Sequence, residues 1–416
     1  MRILWIKAGG LVPPDTGGKI RSYNILRELA RHHTITFFSF YGVHAHDVHR
    51  ELETLFSVVC VPLKLPRSGS AAELRGYIAN LLSSEPYNVN KYCRPEVRKQ
   101  LTGVLQRKNY DVILCDFLIP AALIPWDWPC PKVIFTHNVE AVIWQRHYEV
   151  ARNPFWKALS WYEWRRMKAA EERYLKRADH VLAVSENDRN TFSSFLGPSK
   201  LTVIQTGVDV DYFKPLPEVE QSNSLVFTGS MDWLPNEDGV IYFAREILPL
   251  IRQQIPDVSF QVVGRKPSAA LQSLAARQGR VELTGWVEDV RPFLARGAVC
   301  IVPLRIGGGT RLKIFEAMAM GKAVVSTSIG AEGLPVQDGE NILLADDPVT
   351  FARSVVSLLR DPIRRREIGL AARKLVAEKY SWAKVTEDFA TVLANVVANT
   401  NREAMQYSPT VHAAER

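Results

Sequence analysis

Short apolar runs rich in β-branched residues alternate with longer amphipathic stretches from one end of the chain to the other. The runs predict strands at Ile3–Ala8, Thr34–Phe40, Val112–Cys115, Val133–Thr136, His180–Val184 and Leu201–Gln205. A second series follows at Leu225–Gly229, Ser259–Val263, Val281–Thr284, Val299–Pro303 and Ala323–Thr327. Between them, Ile20–Arg31, Trp161–Arg177, Gly239–Ile255 and Pro348–Arg360 carry apolar positions at helical spacing. Strand and helix in strict alternation predict an α/β protein built on parallel sheets wrapped by helices on both faces. The periodicity breaks at Lys214-Pro215-Leu216-Pro217-Glu218 and the polar Gln221-Ser222-Asn223, and a fresh strand begins at Leu225. Two similar domains are therefore expected, 1–213 and 214–380, each of ordinary domain size. The tail 401–416 is polar and irregular and is expected to fray.

Composition narrows the class. Of 416 residues, 47% are hydrophobic and 23% charged, as in a globular protein rather than a disordered one. No apolar run approaches the roughly 20 residues that span a bilayer. The opening Met1-Arg2-Ile3-Leu4-Trp5-Ile6-Lys7 reads as a buried strand rather than a secretion signal, so a cytoplasmic location is expected. The five cysteines are scattered and form no Cys-x-x-Cys pair; buried reduced thiols are expected, with neither a disulfide framework nor a zinc site. Charge is lopsided. Residues 1–211 hold 28 Lys+Arg against 21 Asp+Glu, whereas the rest of the chain holds 24 against 23. A basic first half points to an anionic partner: phosphates, nucleic acid or an acidic membrane surface. No nucleic-acid-binding module is recognisable, so nucleic acid is not expected.

The most informative stretch for chemistry runs from Ile301 to Thr327. A buried strand leads into Gly307-Gly308-Gly309-Thr310, then a strong helix beginning Arg311-Leu312-Lys313-Ile314-Phe315-Glu316, then another buried strand. Glycines at such a junction let the backbone approach a ligand and leave N–H groups free at a helix N-terminus, a site suited to phosphate. Arg311 and Lys313 add positive charge suited to a diphosphate, and the Glu316 carboxylate suits a ribose diol. A tight glycine turn with a solvated Arg/Lys face is the alternative. No Gly-Lys-Ser/Thr follows the glycines, which excludes a P-loop, and adjacent glycines late in the chain exclude a dinucleotide fingerprint. In the first half, Gly17-Gly18 offers a similar strand-to-helix turn, for which a plain turn is the alternative. Val133–Glu140 ends a buried strand in a polar cluster containing His137 and Glu140.

The Gly307–Thr327 segment resembles the donor site of glycosyltransferase family 4. That family has the GT-B fold, two facing Rossmann-like domains with parallel sheets and a C-terminal helix crossing back to the first domain, here 381–400. In the family an acidic residue opens the motif and a second, eight positions later, contacts the nucleotide ribose. Glu316 matches the second position; the first falls on Gly308, so the sugar-contacting carboxylate is absent. The resemblance covers nearly the whole chain. Gly285–Val290 resembles the base-contacting loop, with backbone groups around Val287 meeting the nucleobase. Val226–Ser230, with Gly229, and Val262–Arg265 resemble loops at the strand ends. Many members place an Arg and a Lys just after the first of these; Ser230–Asn236 holds no cation, and Arg311 and Lys313 are expected to take that role.

The resemblance implies a retaining, metal-independent transfer from a nucleotide diphosphate sugar to a glycan or lipid-linked acceptor, without a cofactor, in cell-surface polysaccharide synthesis. His137, Arg311 and Lys313 would act at the reacting centre. Gly17, Gly18, Gly229, Arg265, Val287, Gly309, Thr310, Leu312 and Glu316 would hold the donor. Asp209-Val210-Asp211 matches a metal-binding Asp-x-Asp pattern elsewhere, but at this domain junction it reads as structural. The basic, aromatic stretch Phe155–Lys168 is suited to an anionic membrane surface, or to packing on its own domain. Two other readings stay open: a nucleotide-sugar epimerase of the same fold, and a degenerate, membrane-associated binding protein.

Overall fold

The computed structural model describes residues 1–41, 46–67, 69–151, 153–217, 220–306 and 312–406. The chain divides into two compact units, Met1–Gln205 with Thr386–Arg416, and Thr206–Val385. The first unit holds a seven-stranded sheet: β1 (Arg2–Ala8), β2 (Thr34–Tyr41), β3 (Ser57–Pro62), β4 (Val112–Asp116), β5 (Lys132–Phe135), β6 (His180–Ala183) and β7 (Leu201–Val203), in the order β3-β2-β1-β4-β5-β6-β7. The second holds six strands: β8 (Ser224–Thr228), β9 (Ser259–Val263), β10 (Val281–Gly285), β11 (Val299–Val302), β12 (Ala323–Ser326) and β13 (Leu343–Leu344), in the order β10-β9-β8-β11-β12-β13. Every strand pair is parallel. The first six strands of each sheet thus follow the 3-2-1-4-5-6 order of Rossmann folds.

The central strands are buried on both faces, which is why they read as unbroken apolar runs. Along β1, Leu4 and Ile6 join one core, while the Trp5 ring stacks on Phe389 of the C-terminal helix at 5.8 Å. The strand positions expected from the sequence are occupied, with ends shifted by a residue or two. Two strands were not foreseen. β3 is an edge strand with mixed exposure, and β13 is only two residues long. The expected helix at 239–255 starts earlier, at Leu234, and passes through one π turn at Phe243–Ile247 before ending at Arg252. Pro249 has no N–H to give the Arg245 carbonyl, and the wider turn accommodates that loss. The C-terminal helix, Trp382–Gln406, runs past the expected start of the tail. Its last residues, Arg402-Glu403-Ala404-Met405-Gln406, are good helix formers despite their polarity. Among the described residues, no helix is long and apolar enough to cross a membrane.

Two strand ends meet backbone to backbone in the second unit. A Cβ on Gly264 would lie 1.8 Å from the Gly229 carbonyl oxygen, so no side chain fits there. Gly103, in the helix Pro95–Arg107, has nothing within 4 Å of the same position. Gly264→Ala is expected to cost the second unit about 2–4 kcal/mol. Gly103→Ala should instead stabilise the first by about 0.5–1 kcal/mol. Hydrogen exchange resolved by peptide reads each unit separately, and equal effects of the two changes would contradict this packing.

Candidate functional site

Each unit gathers polar side chains at the carboxyl ends of its strands, beside the point where strand order reverses. In the first unit the centre is Asp116, at the end of β4 and wholly buried. Lys7 of β1 places Nζ 3.1 Å from Oδ2, and the Trp5 Nε1–H donates to the same oxygen at 2.9 Å. His137, two residues beyond β5, lies with Nε2 2.7 Å from Oδ1. Burial alone would raise the Asp116 carboxyl, but Lys7, His137 and Trp5 override it and hold it well below the usual range. Because Asp116 is ionised, His137 Nε2–H donates to it, and Nδ1 is left to accept from the Arg21 guanidinium at 3.0 Å. Burial presses His137 down to about 4 and Arg21 to about 10, so at neutral pH the imidazole is neutral and the guanidinium charged. Both ring nitrogens of His137 are thus engaged inside the unit.

Sterics lock this arrangement. The Phe117 ring stacks on the His137 ring with centroids 4.1 Å apart, and Lys7 Nζ sits 4.3 Å from the same Phe117 centroid. Phe117 has φ +70°, a left-handed conformation that is costly for a bulky residue and is held here by its backbone N–H to the Phe135 carbonyl. Gly17 opens the helix Gly17–Leu29, and a Cβ on Gly18 would meet Phe117 at 2.5 Å. Glycine at 18 is therefore required by close packing. Behind His137, the Glu140 and Ala141 N–H groups donate to the buried Glu171 carboxylate. Burial lifts Glu140 to about 7 and Glu171 to about 8.

In the second unit Lys313, on the helix Leu312–Ala319, brings Nζ 4.0 Å from the Phe227 ring centroid and 2.7 Å from Asn236 Oδ1. Asn236 in turn donates to the Ser230 carbonyl at 2.8 Å. The ammonium thus stands at Gly229, whose φ is +152° and where a Cβ would lie 2.7 Å from Lys313 Nζ. Arg265, after β9, donates from Nε to Ser230 Oγ at 2.8 Å, and Lys266 pairs with Asp232 at 3.0 Å. Glu316 is half-buried, and burial pushes its carboxyl up to about 7 against the pull of Lys313. Val287 is half-buried in a loop braced by Arg291, which chelates Asp289 and lies 3.7 Å over the Tyr212 ring. The Asp209 carboxylate accepts the Tyr212 N–H at 3.0 Å, an ordinary turn contact. Gly307, Gly308, Gly309, Thr310 and Arg311 lie outside the described residues. Within the first unit the structure brings His137 and Gly18 together; within the second it brings Gly229, Arg265 and Lys313 together, with Glu316 one helical turn from Lys313.

Two family descriptions divide the chain between them: "Glycosyltransferase Family 4" matches residues 16–212 and "Glycosyl transferases group 1" matches 222–361. The chain belongs to the group 1/family 4 glycosyltransferases. It has the GT-B fold of two Rossmann-like domains. Among related sequences, an uncharacterized 44.6 kDa protein in the cps region of Klebsiella pneumoniae is 24% identical over 69% of this chain and 75% of its own. A phosphatidyl-myo-inositol mannosyltransferase of Mycobacterium tuberculosis is 28% identical over 52% of this chain and 60% of its own. Among solved structures, sucrose-phosphate synthase from Thermosynechococcus elongatus superimposes with a TM-score of 0.69 at 17% identity, covering 96% of this chain and all of that one. Anabaena HepE in complex with UDP and glucose gives 0.65 at 16% identity, covering 95% and 99%.

Sequence reasoning for this glycosyltransferase missed Lys7, Asp116 and Arg21. Each is a charge at the end of a strand or in the second turn of a helix, and a lysine closing the apolar run Ile3–Ile6 was the available signal. The folded His137 pKa lies below the ordinary value near 6.5. Its contribution to stability is therefore complete above about 6.5 and is lost as pH falls through about 4. Nitrogen-detected NMR should find His137 as the neutral Nε2–H tautomer with no titration between pH 5 and 8. An apparent pKa near 6.5 would contradict the network.

Proposed function

We propose that this glycosyltransferase takes its sugar from a nucleotide diphosphate donor, with the diphosphate held at the Gly229 end of β8. The observation that carries the reading is the Lys313 ammonium, fixed by Phe227 and Asn236 against Gly229, with Arg265 on the adjoining strand end. Two cations beside a glycine-opened backbone fit a diphosphate, and they compensate for the absence of any cation in Ser230–Asn236. Glu316 would accept from the ribose hydroxyls, the backbone at Val287 would meet the base, and Leu312, which opens the helix Leu312–Ala319, would stand beside the phosphates. Gly309 and Thr310 keep the donor-binding role expected from the sequence. Structural neighbours crystallised with UDP or UDP-glucose support the same donor class.

Breaking the anomeric C–O bond leaves negative charge on the departing diphosphate and positive charge on the sugar. Lys313 and Arg311 would stabilise the first. In the other unit, the loop at Gly17-Gly18 and the strand end at His137 would line the acceptor side. With both its nitrogens committed, His137 is better suited to holding Arg21 in place than to removing a proton. The retaining course fits a His137 so committed, since the leaving phosphate can itself take the acceptor proton on the same face. A glycan or lipid-linked acceptor, and a place in cell-surface polysaccharide synthesis, are supported by the mannosyltransferase and cps-region relatives.

Calorimetric titration with UDP, GDP and ADP tests the donor site. One of them should bind in the micromolar range, and Lys313→Ala should weaken it by about 10- to 100-fold, the loss of a charge-assisted contact. Glu316→Ala should weaken it as well. Binding of none, or equal binding by both variants, would overturn the assignment. Transfer should also persist in excess chelator, because no metal is invoked; its loss there would restore a metal to the mechanism.

A further inference from the structure

The first unit displays large hydrophobic side chains in one place. Of the eight described in that unit as exposed, seven lie on two neighbouring segments. Leu74 and Ile78 are one turn apart on the helix Ala71–Ala79, and Leu81 and Leu82 follow it. Phe155, Trp156 and Trp161 lie on the helix Pro154–Arg177. Leu82 is 101% exposed, Phe155 55% and Ile78 52%. The segments touch: Trp156 meets Tyr77 edge-on at 6.2 Å, and the Tyr162 hydroxyl donates to the Leu81 carbonyl.

This display is held rigidly. Arg166, nearly buried, donates to the carbonyls of Asn80, Ser83 and Glu85 and pairs with the buried Glu163 at 2.8 Å. Asn90 adds a bond to Asn80 at 2.6 Å. The loop that lifts Leu82 into solvent is thus tied down on both sides of that residue. Exposed cations stand among the apolar groups: Arg75, Lys157, Arg165 and Lys168. Arg165 rides 5.6 Å over the Trp161 ring. The nearby carboxylates are occupied: Glu73 accepts the Gly69 N–H, Glu163 is buried, and Glu85 takes Arg173 and Tyr174.

We propose that the face formed by residues 74–82 and 155–168 docks the chain onto an anionic lipid bilayer, with Leu82, Phe155 and Trp161 entering the interface and the four cations meeting lipid headgroups. Aromatic and aliphatic tips backed by lysine and arginine are the chemistry of an interfacial surface. A second copy of this chain is a poorer occupant, because a two-fold contact would set the same cations against each other. The inference goes beyond the donor reading and does not depend on it, since lipid binding requires no nucleotide.

The test is co-sedimentation of the full chain with vesicles of phosphatidylcholine alone and of phosphatidylcholine mixed with phosphatidylglycerol. Binding should appear only with the anionic lipid and weaken as salt rises. Leu82→Ser with Phe155→Ser should bind at least about tenfold more weakly. So should Lys157→Gln with Arg165→Gln and Lys168→Gln. Circular dichroism and nucleotide titration on each variant should match the parent, which separates lost docking from lost folding. Failure of the parent chain to bind anionic vesicles would overturn the proposal, as would equal binding by the folded variants. Light scattering that found a dimer dissolved by the Leu82→Ser/Phe155→Ser change would reassign the face to self-association.

Discussion

A strand can join a parallel neighbour only through a crossover that returns the chain to the same end of the sheet. In this protein all strands obey that constraint, and the carboxyl ends of each sheet therefore share one edge. Where strand order reverses, between β1 and β4 and again between β8 and β11, the crossovers leave toward opposite faces and the edge between them stays open. The polar side chains of both units collect at that edge. Lys7, Asp116 and His137 come from the ends of three adjacent strands in one sheet. Gly229, Arg265 and Lys313 come from two strand ends and a following helix in the other.

The two clusters solve different electrostatic problems. Asp116 is wholly buried and would be prohibitively unstable as an isolated charge, so it is matched by an ammonium, an imidazole N–H and an indole N–H. Wholly buried among these partners, it presents no surface to a ligand, and the cluster is an anchor on which Arg21 and the first helix are set. Lys313 is only half-buried, and an aromatic face and a neutral amide fix its ammonium beside Gly229. The Glu316 carboxyl one helical turn away feels the same charge, so this cluster is set by a cation held near the surface rather than by a buried anion.

Much of this was legible in the residues. Alternating apolar runs and amphipathic stretches marked eleven of the strands because buried parallel strands are apolar on both faces. The edge strand Ser57–Pro62 escaped because half its side chains see solvent, and Leu343–Leu344 is too short to carry a pattern. His137 stood out as a polar residue closing a buried run. Asp116 did the same at Cys115-Asp116, yet nothing in the linear sequence tied it to a lysine 109 positions earlier; the sheet order makes that link. The importance of Lys313 could be argued from the missing cation in Ser230–Asn236, but its partner Asn236 could not, since that contact depends on where the helix Leu312–Ala319 lies over β8. The exposed apolar face was half visible, as the aromatic stretch from Phe155. Leu81 and Leu82 joined it only through the carbonyls that Arg166 binds.

Trp5 links the two ends of the chain. Its indole N–H serves Asp116, and its ring lies against Phe389. During synthesis the first strand leaves the ribosome early, but the side chain that covers its tryptophan is made only after the entire second unit. Vectorial folding of the first unit therefore stops short of completion on this side of the sheet. Until Phe389 arrives, water can reach the tryptophan that shields the buried carboxylate, and the anchor for Arg21 and the first helix is finished last.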